Sequence, residues 1–154
     1  MASTTTYNVA KRRKREGKTN YKKRLTLLLS HKPRLVVRKS NKNYTVQVIE
    51  YQKEGDRVLV SATSKELAAL GYKGHCGNSK AAYLVGYLAG KRALKNKVES
   101  AVLDMGMVSA VLGSVAFAAL RGAVDAGLDV PHNEEILPAA ESFSEVDAVK
   151  KKIS

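Results

Sequence analysis

The hydrophobic period of this chain changes near residue 63, and that change narrows the folds open to it. Upstream lie three short strand-like runs: Leu35 to Ser40, Tyr44 to Tyr51 and Arg57 to Ala62. Asn41-Lys42-Asn43 and Gly55-Asp56 are turn signals between them, so the runs predict an antiparallel three-strand meander. Downstream the spacing becomes helical. Thr63 and Glu66 have capping-box spacing for a short helix, Ser64 to Leu70. Asn78 is placed to cap a second helix, Ser79 to Asn96. Ser100 to Met107 reads as a buried strand, and an Ala-rich helix over Leu112 to Ala126 ends at Gly127. Leu128-Asp129-Val130 predicts a short closing strand before Pro131. Near the C-terminus, Ser142 and Glu145 predict another capping box. It would open an amphipathic helix with Phe143, Val146, Val149 and Ile153 on one side and Lys150 to Lys152 at the end that favours cations. A helix over 19–30, capped by Thr19 or Asn20, precedes the meander, with Leu25, Leu28 and Leu29 on one side. The order predicts a mixed α/β layer domain: a basic extension with a short helix at 1–31, an α/β core at 32–131, and a C-terminal extension at 132–154.

Charge is distributed as unevenly as period. The 154 residues carry a net charge of +13. Residues 1–42 hold 14 basic residues and one acid, Glu16, whereas residues 43–154 hold 13 of each sign. Self-repelling cations add no packing stability, so the N-terminal segment is a partner-binding arm. Nucleic acid is the first partner to expect, ahead of an acidic membrane surface or an acidic protein. Residues 1–18 read as a flexible basic tail. The uncharged stretch Met105 to Leu120 is short of the roughly 20 apolar residues of a membrane span and reads as buried strand plus helix. A single cysteine, Cys76, excludes an internal disulfide, and no secretory leader is visible; a soluble intracellular protein is expected.

Catalytic chemistry is poorly represented. Gly71, Gly74 and Gly77 have the wrong spacing for a phosphate loop or a dinucleotide fingerprint. His75-Cys76 supplies two metal ligands where about four are needed, and the carboxylates are scattered. No cofactor, metal or enzyme activity is expected.

Three elements suit RNA. Lys11, Arg12, Arg13, Lys14 and Arg15, with Lys18, Lys22, Lys23 and Arg24, have the density that gains from counterion release on phosphates; a targeting or solubilising run is the bland alternative. Arg34, Arg38 and Lys42 recur at even intervals, so on an extended strand they share one face, which Tyr44 would continue with a ring for stacking. Ordinary solvated charge on a sheet face is the alternative there. Gly74-His75-Cys76-Gly77, with Tyr72 and Lys73 beside it, has the form of a GxxG clamp, but the flanking strand order does not suit a KH domain and a plain helix-entry loop is the better reading.

Several motifs occur in an order that resembles a known family. They are Arg12 to Thr19, Lys32-Pro33-Arg34-Leu35-Val36-Val37-Arg38-Lys39-Ser40-Asn41-Lys42, Gly71-Tyr72-Lys73-Gly74, Gly77-Asn78, Ala81-Ala82-Tyr83-Leu84, Leu88-Ala89-Gly90, Ala118-Ala119-Leu120, Gly122 to Leu128 and Pro131-His132. Together they resemble archaeal-type large-subunit ribosomal protein eighteen, the universal 5S-rRNA-binding family whose eukaryotic member is ribosomal protein five. The resemblance implies a ribonuclease-H-like topology without catalytic carboxylates. It also implies a basic extension lying on RNA, and a place in the central protuberance of the cytoplasmic ribosome, beside the other 5S-rRNA-binding protein and large-subunit rRNA. Implied contacts fall on Arg12 to Arg15, Lys18, Arg34, Arg38, Lys39 and Lys42; Tyr21, Lys32, Ser40 and Asn78 complete the candidate set. Residues 11–24 would form a sequence-tolerant phosphate anchor, and 32–42 a more specific element on the edge of the sheet. Residues 107–115, uncharged where archaeal relatives are polar and basic, are expected to make no RNA contacts and to pack against protein or within the domain. A free-standing RNA chaperone or regulatory module is the alternative function.

Overall fold

In the computed structural model, the structure describes residues 8–139, 142–143 and 146–153. Strands β1 (Arg34–Lys39), β2 (Tyr44–Glu50) and β3 (Arg57–Thr63) form the expected meander. The fourth strand, β4 (Val102–Asp104), joins β1 in parallel, giving the order β3-β2-β1-β4. A parallel neighbour needs a crossover. It is supplied by the 3₁₀ turn Ser64–Ala68 and the long helix α3 (Ser79–Lys95), which follow two short N-terminal helices, α1 (Arg12–Arg15) and α2 (Tyr21–Leu28). Beyond β4 come α4 (Val115–Asp125) and, at the C-terminus, α5 (Asp147–Ile153). The 128–130 segment contributes a single parallel bridge, Ser100 to Asp129.

Helices α3 and α4 cover one face of the sheet. Leu35, Val37, Tyr44, Val46, Val48, Val60 and Ala62 point into this core and meet Leu84, Leu88 and Leu120. The two helices touch backbone to backbone. A Cβ on Gly86 would lie 2.7 Å from the carbonyl carbon of Ala119, and one on Gly122 would lie 2.8 Å from the amide nitrogen of Tyr87. Glycine at both positions is therefore a packing requirement. The C-terminal segment closes over α3, where Phe143 stacks on Tyr83 with ring centroids 4.4 Å apart. The Lys150 ammonium donates to the Tyr83 hydroxyl at 2.9 Å.

Several boundaries differ from expectation, each for a local reason. The strand expected over 100–107 pairs with β1 only at Val102–Asp104, Ser100 bridging Asp129 instead, and it ends where Gly106 at φ +67° turns the chain out of the sheet. The helix expected from Leu112 starts at Val115, behind Gly113 at φ +66°. Strand β1 is interior rather than an edge, since β4 pairs along its other side. Residues 1–7 and Glu145, with its expected capping box, lie outside the described residues. Among the described residues, no helix is long and apolar enough to cross a membrane.

Candidate nucleic-acid interface

The basic extension is not a bare tail. Helix α1 makes one turn held by Glu16, which pairs with Arg12 at 3.0 Å and Lys18 at 2.9 Å. The chain then folds back: Arg13 Nε donates to Thr19 Oγ1 at 2.9 Å, and the Lys11 ammonium sits 4.8 Å from the Tyr21 ring centroid. Asn20 starts α2 by accepting the Lys23 amide at 3.1 Å, the capping role its sequence position predicts.

A line of alternating charges fixes α2 over the sheet face opposite the core. Arg24 donates to both carboxylate oxygens of Asp56 at 2.8 Å. Asp56 also accepts from Arg34 at 2.7 Å, and Arg34 reaches on to Asp104 at 2.8 Å. Asp104 in turn receives Arg38 at 3.3 Å and the Gly106 amide at 2.8 Å. Burial alone would raise the Asp104 carboxyl. The Arg38 charge, the Gly106 N–H and Arg34 outweigh it and hold the group below its ordinary value. Asp104 is therefore an anion at neutral pH, and Arg34 is neutralised inside the protein.

Between the extension, β1 and the β4–α4 loop this arrangement leaves a groove of about 740 Å³. Arg13, Lys18, Lys23 and Lys39 bring cations to it, and Tyr21, Leu27, Met107 and Val108 bring apolar surface. The Lys23 ammonium lies 3.5 Å from the Gly106 carbonyl, linking α2 to the loop across the groove.

The predicted contact residues divide into three groups. Lys14, Arg15, Lys22, Lys32, Lys39, Lys42 and Lys73 are exposed and make no ion pair among the described residues. Lys11, Arg12, Arg13, Lys18, Lys23, Arg24 and Arg38 are surface cations already oriented by protein partners, as described above; Arg38 also donates to the Val37 and Asp104 carbonyls at 2.9 Å. Tyr21 is half-buried beside Lys11.

The third group is turned inward and corrects the expectation. Arg34 is only 3% exposed, its guanidinium held between Asp56 and Asp104 rather than turned to solvent. Tyr44 is 1% exposed, so it offers no ring for stacking. Its amide donates to Ser64 Oγ at 3.1 Å and its hydroxyl to the Gly77 carbonyl at 2.8 Å; burial raises that hydroxyl's pKa. Even spacing misplaced Tyr44 because a hairpin intervenes. Tyr44 pairs with Lys39, and Thr45 is the residue opposite Arg38. Lys42 lies in the hairpin beyond β1, so it does not extend the strand face either.

Ser40 closes the same hairpin with Asn43, accepting its amide at 3.0 Å and donating to its carbonyl at 2.9 Å. Asn78 Oδ1 is used twice, by the Ala81 amide at 2.7 Å and the Tyr72 hydroxyl at 3.0 Å. In the GxxG loop the Gly77 amide donates to His75 Nδ1 at 3.0 Å, and the Tyr72 side chain occupies the space beside Gly74. That loop is an internally bonded helix entry, not an open phosphate clamp.

Sequence reasoning missed Asp56, Asp104 and the apolar wall. Nothing local marks Asp56, which sits in a turn. An acid at a strand end facing a basic strand was a signal for Asp104, once the parallel pairing of β4 with β1 is known. Among the described residues, no cluster of His, Cys, Asp and Glu is arranged to hold a metal ion.

A profile of the family described as ribosomal large subunit proteins 60S L5 and 50S L18 matches residues 5–101 and 95–133. A relative named large ribosomal subunit protein uL18, from Methanococcus maripaludis, is 51% identical over an alignment covering 100% of this chain and 86% of its own. Another of the same name, from Methanobrevibacter smithii, is 56% identical over 90% of this chain and 72% of its own.

Proposed function

The chain belongs to the family of ribosomal large subunit proteins 60S L5 and 50S L18, and from that premise we propose that it binds 5S rRNA and helps attach it to large-subunit rRNA in the central protuberance. It is a structural constituent of the cytoplasmic ribosome and not an enzyme. Its partners on this reading are 5S rRNA, large-subunit rRNA and neighbouring ribosomal proteins, including the other 5S-rRNA-binding protein. The observation that carries the reading is the set of exposed cations at 14–15, 22, 32, 39 and 42, which make no ion pair among the described residues. Phosphates are the complementary charge, and counterion release supplies the affinity.

The topology reading is ribonuclease-H-like. A β3-β2-β1-β4 sheet, a parallel β1–β4 pair joined by a helical crossover, and a further parallel bridge after α4 support it. The working units on this reading are the extension 1–31, the core 32–131 and the segment 132–154.

Titrating full-length protein against a 5S rRNA transcript tests the reading. Affinity falls by about 10³–10⁵ between ~50 and ~200 mM salt if roughly six to ten phosphates are engaged. It also exceeds the affinity for an unrelated RNA of equal length. Equal affinity for both RNAs, with no retention on salt-washed large subunits, returns the chain to a free-standing RNA chaperone or regulatory module.

A further inference from the structure

The β4–α4 loop projects four large apolar side chains into solvent: Met107 at 57% exposure, Val108 at 49%, Val111 at 60% and Leu112 at 73%. Water-facing apolar side chains at this density mark a contact surface. Of the two expectations for 107–115, packing against protein or within the domain, the second does not hold at these four positions. The loop itself is tied down, since the Gly106 amide is held by Asp104 and the Gly113 amide donates to the Ile136 carbonyl at 3.2 Å. Met107 and Val108 form one wall of the groove to which Arg13, Lys18, Lys23 and Lys39 bring charge.

We propose that this groove takes an unpaired nucleotide of the bound RNA, its phosphates on the cations and its base against Met107 and Val108. The inference rests on the RNA-binding reading above and specifies which chemistry of RNA this part of the surface accepts. Three observations select the occupant. A wall of one class facing a rim of the other matches an amphipathic ligand, a flat apolar base joined to an anionic backbone. A duplex presents phosphate and sugar outward and leaves the apolar wall without a partner. A protein partner would have to bring carboxylates to these cations and apolar groups to the wall, whereas the RNA already engaged by the extension supplies both from one nucleotide. The groove's volume, about 740 Å³, falls within the range of small-ligand clefts.

The test uses full-length chain carrying Met107→Ser with Val108→Ser. Both positions are exposed, so thermal unfolding is expected to match the parent protein. Binding is measured to the 5S rRNA transcript and to a fully paired RNA of similar length, each across a salt series. Loss of this apolar contact lowers 5S rRNA affinity several-fold, by about four-fold for each methylene-sized group it had buried. The slope of log affinity against log salt stays unchanged, because no phosphate contact is removed, and duplex affinity is unaltered. Lys23→Ala with Lys39→Ala gives the opposite signature, a shallower slope on both RNAs. Unchanged 5S rRNA affinity in the Ser variant overturns the proposal. If that variant is also poorly incorporated into large subunits, the loop is a protein-docking surface instead. If the parent protein shows no preference for 5S rRNA, the broader reading has failed, and the two failures are distinct.

Discussion

Replacing Asp56 with Asn raises the net charge by one, and counting charges alone predicts tighter RNA binding. The structure predicts the reverse for the specific complex. Among the described residues, Asp56 alone bridges the α2 guanidinium of Arg24 and the buried guanidinium of Arg34, at 2.8 and 2.7 Å. Stranding a buried cation costs about 3–5 kcal/mol. Arg34 would keep its bond to Asp104 at 2.8 Å, so the loss is nearer one charge-assisted hydrogen bond, about 1.5–3 kcal/mol. The Arg24 contact, with both side chains a quarter to a third exposed, adds less than ~1 kcal/mol. A total near 2–3 kcal/mol in a chain of this length lowers Tm by roughly 5–10 °C. Releasing Arg24 also unpins α2 from the sheet, and with it one side of the groove. Differential scanning fluorimetry and filter binding at two salt concentrations read both effects. Specific 5S rRNA affinity should fall while affinity for an unrelated RNA holds or rises. A variant as stable as the parent and tighter on both RNAs would refute the positioning role.

Other consequences separate structural from binding residues. Gly86→Ala pushes a Cβ onto the Ala119 backbone, where no rotamer change relieves it, and should cost ~3 kcal/mol or more by denaturant unfolding. Gly113→Ala meets nothing within 4 Å and should cost only the ~1–2 kcal/mol of a left-handed residue. The Asp104 carboxyl is held below its ordinary value, so the stability it contributes is complete above the unfolded-state pKa of about 3.9. That contribution is lost as pH falls through the lower folded-state value; an acid titration of Asp104→Asn should lack this component. Arg34→Met should destabilise the fold without changing the salt slope of RNA binding. Lys39→Ala should flatten that slope by somewhat under one unit and leave Tm alone.

The fold was legible where local chemistry decides it. Asn20 and Asn78 cap the helices their positions predict, Asn41 to Asn43 turn the hairpin, and Thr63 receives Glu66 at its amide at 2.9 Å. The candidate interface was legible as a concentration of charge but not as geometry, and Tyr44 shows why. An even count along the sequence preserves a strand face only while the strand continues. Across the hairpin the register pairs Tyr44 with Lys39, which carries its ring into the core. Arg34 fails for a different reason: its neighbours in sequence are basic and apolar, and its two partners, Asp56 and Asp104, arrive from 22 and 70 residues away.

Those partners alter what the net charge means. The chain from residue 43 onward balances 13 acids against 13 bases, but the balance is not local. Asp56 and Asp104 cross to the extension and β1, where they engage Arg24, Arg34 and Arg38. The arm's formal excess therefore overstates the charge it offers a polyanion, while its geometry is better defined than a bare tail would be. Basic residues near a sheet serve RNA only if no carboxylate reaches them first. Lys39 and Arg34 lie five residues apart on one strand and so leave it on opposite faces: Arg34 meets Asp56 and Asp104, and Lys39 meets no carboxylate among the described residues.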